Sequence, residues 1–145
     1  YWVPDEAEGI TMSQFRAGLS DTIQQIRGDG HQVLLVQKVP DWGGPGGNGW
    51  DPRLCPMISI LRGSCAAELP LDQALAHRVD ERAVISQVAS REGATVWDPA
   101  DSLCPDDTCS TSGPGYIRYT DATHISVPQA KALAPTIREV LASLS

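Results

Sequence analysis

Residues 33–40 read VLLVQKVP, a short and mostly apolar run that ends at a proline. Such a continuous apolar run is typical of a parallel strand that is covered on both faces. Upstream of it, Thr11 and Gln14 have the spacing of a capping box, and apolar residues then recur every three to four positions until Gly28. The two patterns together predict a helix over residues 11–27 that is followed by a buried strand.

Three further segments extend this alternation of helix and strand. Apolar spacing predicts a helix over residues 72–91, which Gly93 closes, and a short strand over residues 94–97. A last helix opens at Ser126, whose spacing to Gln129 again matches a capping box. Helices that alternate with strands are typical of a layered α/β sheet. Two strands offer too little surface for three amphipathic helices, so we expect an incomplete parallel sheet that lacks its N-terminal strands.

Length and charge narrow the classes of function. The 145 residues suit one domain, and the formal net charge of −7 argues against nucleic acid as a partner, because phosphate binding requires clustered Lys and Arg. The sequence has no apolar run of the length of a membrane span. It begins Tyr-Trp-Val-Pro without an initiator Met. We therefore expect residues 1–145 to be the C-terminal part of one domain, whose sheet is completed by an upstream segment.

Four cysteines form two local pairs, Cys55 with Cys65 and Cys104 with Cys109. Sequence alone permits three connectivities, and the local one is favoured because each bridge would pin a loop rich in Pro, Gly or Asp. Two disulfides would place the protein in an oxidising compartment. Four free thiols in a cytosolic protein are the alternative.

A glycine-rich loop covers residues 41–54 and holds five glycines between Trp42 and Trp50. The loop leaves the carboxyl end of the predicted strand, which is where open α/β sheets bind their ligands. Trp42, Trp50 and Asn48, the chain's only asparagine, are therefore candidate substrate-binding residues. A flexible surface connection is the alternative interpretation of this loop.

Residues 119–126 read YTDATHIS and contain the strongest candidate for catalysis. A carboxylate three residues before an imidazole, as Asp121 precedes His124, can accept the proton of ring Nδ1 on a turn. That bond fixes the tautomer and leaves Nε2 as a base, which is the orienting half of a hydrolase triad. A solvated pair on a loop is the alternative, because Asp and His both favour turns. No converging ligands indicate a metal site, and we expect no metal and no cofactor.

The segment Asp121-x-x-His124-Ile-Ser126, with Tyr119 and the cysteine pair before it, resembles the C-terminal block of SGNH-type esterases. It is most similar to the SGNH domain fused to membrane acyltransferase-3 proteins, which O-acylate bacterial surface polysaccharides. The resemblance covers nearly the whole chain. It implies a three-layer α/β/α, flavodoxin-like fold with a parallel sheet, in which His124 is the general base and Asp121 its orienting acid.

The family takes its nucleophile from a Gly-Asp-Ser motif, and neither that motif nor the Gly-x-Asn-Asp oxyanion block occurs here. We therefore expect a serine supplied upstream of Tyr1. Ser64 is a poor substitute because it lies in a cysteine loop without a strand-to-helix elbow. The resemblance implies Ser-His-Asp O-acyl transfer to a cell-envelope polysaccharide or other glycan. It also implies an acyl donor from a membrane acyltransferase domain and an extracytoplasmic location tethered to that domain.

Two other functions stay open at this point. One is an extracytoplasmic SGNH esterase that removes acyl groups. The other is a non-catalytic carbohydrate-binding domain that uses Trp42 and Trp50 as an aromatic platform. The remaining histidines, His31 and His77, are expected to be solvated.

Overall fold

A computed structural model describes residues 10–43, 48–62 and 64–144, and shows a mixed α/β protein. The chain divides into two compact units. The first unit comprises Tyr1–Leu35 and Asp80–Val96, and the second comprises Val36–Val79 and Trp97–Ser145. The helices are α1 (Met12–Gly28), α2 (Met57–Leu61), α3 (Leu71–Leu75), α4 (Val79–Glu92), α5 (Ala100–Leu103) and α6 (Val127–Ser143). The strands are β1 (Leu34–Val36), β2 (Glu68–Pro70), β3 (Thr95–Trp97), β4 (Thr108–Ser110), β5 (Ser112–Gly113) and β6 (Tyr116–Ile117).

Helix α1 begins where the capping box predicts. The backbone N–H of Gln14 donates to Thr11 Oγ1 at 3.2 Å, and the Thr11 N–H donates to Gln14 Oε1 at 2.8 Å. These bonds satisfy donors that the first helical turn leaves without a partner. Within the first unit the helix buries Ile23, which packs with Val33, Val84 and Val88 in a small apolar core.

Strands β1 and β3 form a two-stranded parallel sheet. The Thr95 N–H donates to Val33 O at 3.0 Å, and the Gln37 N–H donates to Trp97 O at 2.9 Å. This slanted ladder confirms the predicted parallel pairing. Strand β1 is shorter than the predicted run over 33–39, because β3 ends at Trp97 and no other strand of the described residues pairs with the later positions.

The prediction of one continuous helix over residues 72–91 is wrong. A short 3₁₀ turn, Ala76–Arg78, separates α3 from α4. The backbone before this turn is held by a tertiary contact, since the Asp41 N–H donates to Ala74 O at 3.2 Å. Tertiary contacts of this kind routinely override the local helix propensity that the sequence pattern reports.

The second unit has its own core and two antiparallel strand pairs, β2 with β4 and β5 with β6. Both local disulfides are present, Cys55–Cys65 and Cys104–Cys109, so the predicted pairing is confirmed. Among the described residues, no helix is long and apolar enough to cross a membrane. The core combines apolar side chains from helices, strands and loops: Trp42, Leu69, Ala74, Leu103, Cys104, Cys109, Tyr119 and Leu133.

Helix α6 is opened by Ser126, but its capping box forms only in part. Ser126 Oγ accepts a hydrogen bond from the Gln129 N–H at 3.3 Å, as the spacing predicts. The Gln129 side chain instead accepts from the Tyr116 hydroxyl at 3.1 Å. The helix start is therefore tied to strand β6, directly after the turn that carries Asp121 and His124.

Candidate functional site

The turn that carries Asp121 and His124 is closed by the residues on either side of it. Tyr119 and Ile125 form an antiparallel bridge, and the Thr120 N–H donates to His124 O at 2.8 Å. The segment therefore returns on itself just before α6 begins. This short closed turn brings two side chains three residues apart onto one side, as a hydrogen-bonded Asp-His pair requires.

The Asp121 carboxylate holds the His124 ring. Nδ1 of His124 lies 2.9 Å from both Asp121 oxygens. The backbone N–H groups of Thr123 and His124 also donate to Asp121 Oδ1, at 2.8 and 2.9 Å. These hydrogen bonds, that of Thr123 foremost, lower the pKa of Asp121 to about 2. The carboxylate is consequently charged at neutral pH and favours the tautomer in which Nδ1–H of His124 donates to it.

Nε2 of His124 is left available. The His124 side chain is 75% exposed, whereas that of Asp121 is 26% exposed. Among the described residues, no side chain hydrogen-bonds to Nε2 of His124. This arrangement would allow His124 to accept a proton at Nε2 while Asp121 holds the ring at Nδ1. In the described ranges no three His, Cys, Asp or Glu side chains group as a metal ion would require.

The start of the glycine-rich loop packs behind this turn. The Trp42 N–H donates to Ala122 O at 2.9 Å, and a Cβ built on Gly43 would lie 3.0 Å from the Ala122 Cβ. The Trp42 ring also contacts the Tyr119 ring edge-on, with a centroid separation of 5.6 Å. Ala122 lies between Asp121 and His124. These contacts therefore hold the turn against the start of the glycine-rich loop.

The predicted binding residues of this loop differ in accessibility. Trp42 has no exposed surface, so its ring supports the turn and presents no face to a glycan in this conformation. Trp50 is half-buried, and its Nε1 donates to Cys65 O at 2.7 Å. Asn48 is exposed, and its Oδ1 accepts from the Trp50 N–H at 3.0 Å. Residues 44–47 of the loop lie outside the described ranges.

A second Asp-His pair, which the sequence analysis missed, anchors the loop. Nε2 of His77 lies 3.0 Å from Asp41 Oδ2, and the Gly43 N–H donates to Asp41 Oδ1 at 2.8 Å. Both side chains are largely buried. The prediction that His77 is solvated is therefore wrong, because the break before α4 turns it towards Asp41. No sequence spacing signals a pair that is 36 residues apart.

A cation close to the site was also missed. Arg53 Nε lies 2.9 Å from both carboxylate oxygens of Asp51. The Arg53 hydrogen bond is the largest influence on the pKa of Asp51 and lowers it, while the charge of Asp121 acts in the opposite direction. Asp51 and Arg53 therefore lie within electrostatic reach of the Asp121 carboxylate.

Ser64, the poor substitute nucleophile, donates its hydroxyl to Ser59 O at 3.2 Å.

A protein-family model described as "SGNH domain (fused to AT3 domains)" matches residues 2–139, which is nearly the whole chain. The searches of curated proteins and of solved structures found no match to this chain. The Asp121–His124 turn and both cysteine pairs lie inside the matched range.

Proposed function

Because the chain belongs to the family of SGNH domains that are fused to AT3 domains, we propose that it supplies two members of a Ser-His-Asp centre for O-acyl transfer. In this proposal His124 is the general base and Asp121 its orienting acid. The acceptor is a hydroxyl of a cell-envelope glycan or polysaccharide. The observation that carries the proposal is the approach of His124 Nδ1 to both Asp121 oxygens, with Nε2 left available.

The proposed reaction has two halves. A serine hydroxyl attacks the acyl carbonyl carbon and passes its proton to His124 Nε2. The leaving group departs with that proton, and the acyl group stays on the serine oxygen as an ester. A glycan hydroxyl then attacks this ester, gives its proton to Nε2, and the proton returns to the serine oxygen. Asp121 stays ionised throughout and stabilises the imidazolium in each half.

The serine is the part of the centre that we assign to another segment. The sequence lacks Gly-Asp-Ser, and no described side chain hydrogen-bonds to His124 Nε2. We propose that an upstream segment brings the serine and completes the sheet. An open apolar groove of about 280 Å³ beside β1 and β3 supports this, because a further strand or helix would cover it; its lining includes Val36, Val39, Trp97, Ile125, Leu133 and Ile137.

The proposed partners and location are those that the same family suggests. An AT3 domain is a membrane acyltransferase, so we propose that it hands the acyl group to this centre on the extracytoplasmic side. Two disulfides support an oxidising compartment. An esterase that uses water in the second half-reaction is the second candidate, because it would need the same Asp121–His124 pair. The burial of Trp42 counts against a binding domain that relies on an aromatic platform.

The test uses the complete gene product, which the proposal expects to contain the Gly-Asp-Ser serine. Hydrolysis of p-nitrophenyl acetate should fall by about 10³-fold or more in His124→Ala, because the serine then has no base. His31→Ala is the matched control, since it removes an exposed histidine of the first unit and should keep the wild-type rate. Acetyl transfer to added oligosaccharides, compared with acetate release, separates a transferase from an esterase.

Equal rates in His124→Ala and His31→Ala would contradict the proposed base. A gene product without an upstream Gly-Asp-Ser motif would contradict the proposed source of the nucleophile.

A further inference from the structure

Three large apolar side chains are exposed at the start of the loop that the Cys55–Cys65 disulfide closes and directly before it. Leu54 is 80% exposed, Met57 is 78% exposed and Ile58 is 53% exposed. They lie within five consecutive residues, at the end of a 3₁₀ turn and the start of α2. Scattered single exposed apolar residues need no explanation, whereas adjacent ones mark an interaction surface. We refer to Leu54, Met57 and Ile58 as the apolar patch.

The apolar patch differs in charge from the rest of the chain. The whole sequence has a formal net charge of −7, but residues 52–67 contain no Asp or Glu. Arg53 and Arg62 flank the patch, and both are exposed. Arg53 pairs with Asp51, but its own side chain is 70% exposed whereas that of Asp51 is 15% exposed. The exposed side-chain charges beside the apolar patch are therefore those of Arg62 and of Arg53, and Asp51 offsets part of the charge of Arg53.

The backbone around the apolar patch is well anchored. The Cys55–Cys65 disulfide closes the loop, and Trp50 Nε1 donates to Cys65 O at 2.7 Å. Inside the loop the Ser64 N–H donates to Ser59 O at 2.9 Å. A constrained loop loses little conformational entropy when it binds, which favours contact through only a few side chains.

We propose that the apolar patch and its two flanking arginines form a docking site for an anionic lipid surface. The apolar side chains would enter the boundary between headgroups and acyl chains, and the arginines would lie at the headgroup phosphates. This docking role does not need the proposed acyl transfer, although Arg53 also lies within electrostatic reach of Asp121.

A lipid surface fits this site better than a protein partner does. Three side chains offer far less area than the roughly 800 Å² per partner of a stable protein interface. Peripheral membrane attachment, in contrast, works with a few inserted apolar groups combined with basic residues. The acidic remainder of the chain would be repelled by an anionic bilayer, so the surface around the apolar patch is the better suited to face it.

The test is co-sedimentation of the 145-residue chain with phosphatidylcholine vesicles, with and without phosphatidylglycerol. We expect binding to the mixed vesicles that weakens with salt. The triple variant Leu54→Ser, Met57→Ser, Ile58→Ser should bind at least about tenfold more weakly. Arg62→Gln should bind the mixed vesicles about fivefold more weakly, because it removes one cationic contact.

The matched control is Val127→Ser with Leu141→Ser, which removes exposed apolar side chains of α6 in the same unit and should leave binding unchanged. Circular dichroism verifies that each variant is folded. No binding by the wild type, or equal binding by the triple variant, would overturn the proposal. So would a wild-type dimer that the triple variant converts to a monomer, because a second copy would then cover the apolar patch.

Discussion

At the scale of single residues, Asp121 performs two tasks with one carboxylate. It accepts the backbone N–H groups of Thr123 and His124, which shapes the turn, and it contacts the His124 ring. Each of these contacts favours the charged form, so the pKa of Asp121 falls to about 2. The same bonds that fold the turn thus keep ionised the carboxylate that orients the base.

This depressed pKa predicts a pH dependence of stability. A carboxyl group with an ordinary pKa near 3.9 when unfolded and about 2 when folded stabilises the protein above pH 4. That stabilisation is lost as the pH falls from about 4 to about 2. We expect Asp121→Asn to lower the free energy of unfolding by about 1–2 kcal/mol at pH 7 and by much less at pH 2. Urea denaturation across this range measures the difference.

The control for that experiment is Asp101→Asn, which removes an exposed carboxylate of the same unit. It should show the same acid dependence as the wild type. A difference between wild type and Asp121→Asn that is constant from pH 7 to pH 2 would contradict the ionic role of Asp121.

At the scale of elements, the turn that carries Asp121 and His124 depends on a loop from a distant part of the sequence. The segment after β1 is held at Asp41 by His77 and contacts the turn through Trp42 and Gly43. A bulkier residue at Gly43 would meet Ala122, which lies between the two candidate catalytic residues. The position of His124 is therefore set by packing as well as by its own hydrogen bonds.

Two identical substitutions should have opposite effects. Gly43→Ala should lower the free energy of unfolding by about 1–3 kcal/mol, because its Cβ would lie 3.0 Å from that of Ala122. Gly18→Ala should raise it by about 0.5–1 kcal/mol, because Gly18 lies inside α1 with nothing within 4 Å of an added Cβ. Urea denaturation of both variants measures this. A Gly43→Ala variant as stable as Gly18→Ala would contradict the close packing.

Elements with local signals were predictable from sequence, and those with distant partners were not. The capping pair of Thr11 and Gln14 marks the start of α1, and Asp121 reaches His124 within one turn. The contact of Asp41 with His77 depends on how distant segments pack, so no local pattern reports it. The burial of Trp42 is likewise not signalled by its glycine-rich neighbourhood, because the Tyr119 ring that packs against it comes from a distant part of the sequence.

At the scale of the whole molecule, disulfides compensate for sparse regular structure. The strands have only two or three residues each, and the second unit contains both disulfides. Short strands bury little surface, so covalent links contribute much of the stability of such a unit. Disulfides that contribute to stability in this way are typical of proteins in an oxidising compartment.

Reduction should therefore affect the whole second unit. We expect intact-mass measurement after denaturation to show no reactive thiols without reductant and four with it. The free energy of unfolding should fall by about 2–4 kcal/mol on reduction. Four thiols that react without reductant would contradict the disulfides and the proposed extracytoplasmic location together.

The tautomer of His124 reports whether Asp121 prepares the ring to act as a base. Nitrogen-15 chemical shifts of the neutral ring distinguish a protonated Nδ1 from a protonated Nε2. We expect the proton on Nδ1 in the wild type, and we expect Asp121→Asn to lose this preference for the Nδ1 tautomer. A wild-type ring with its proton on Nε2 would contradict this role, because Nε2 would then have no lone pair to accept the proton of a serine.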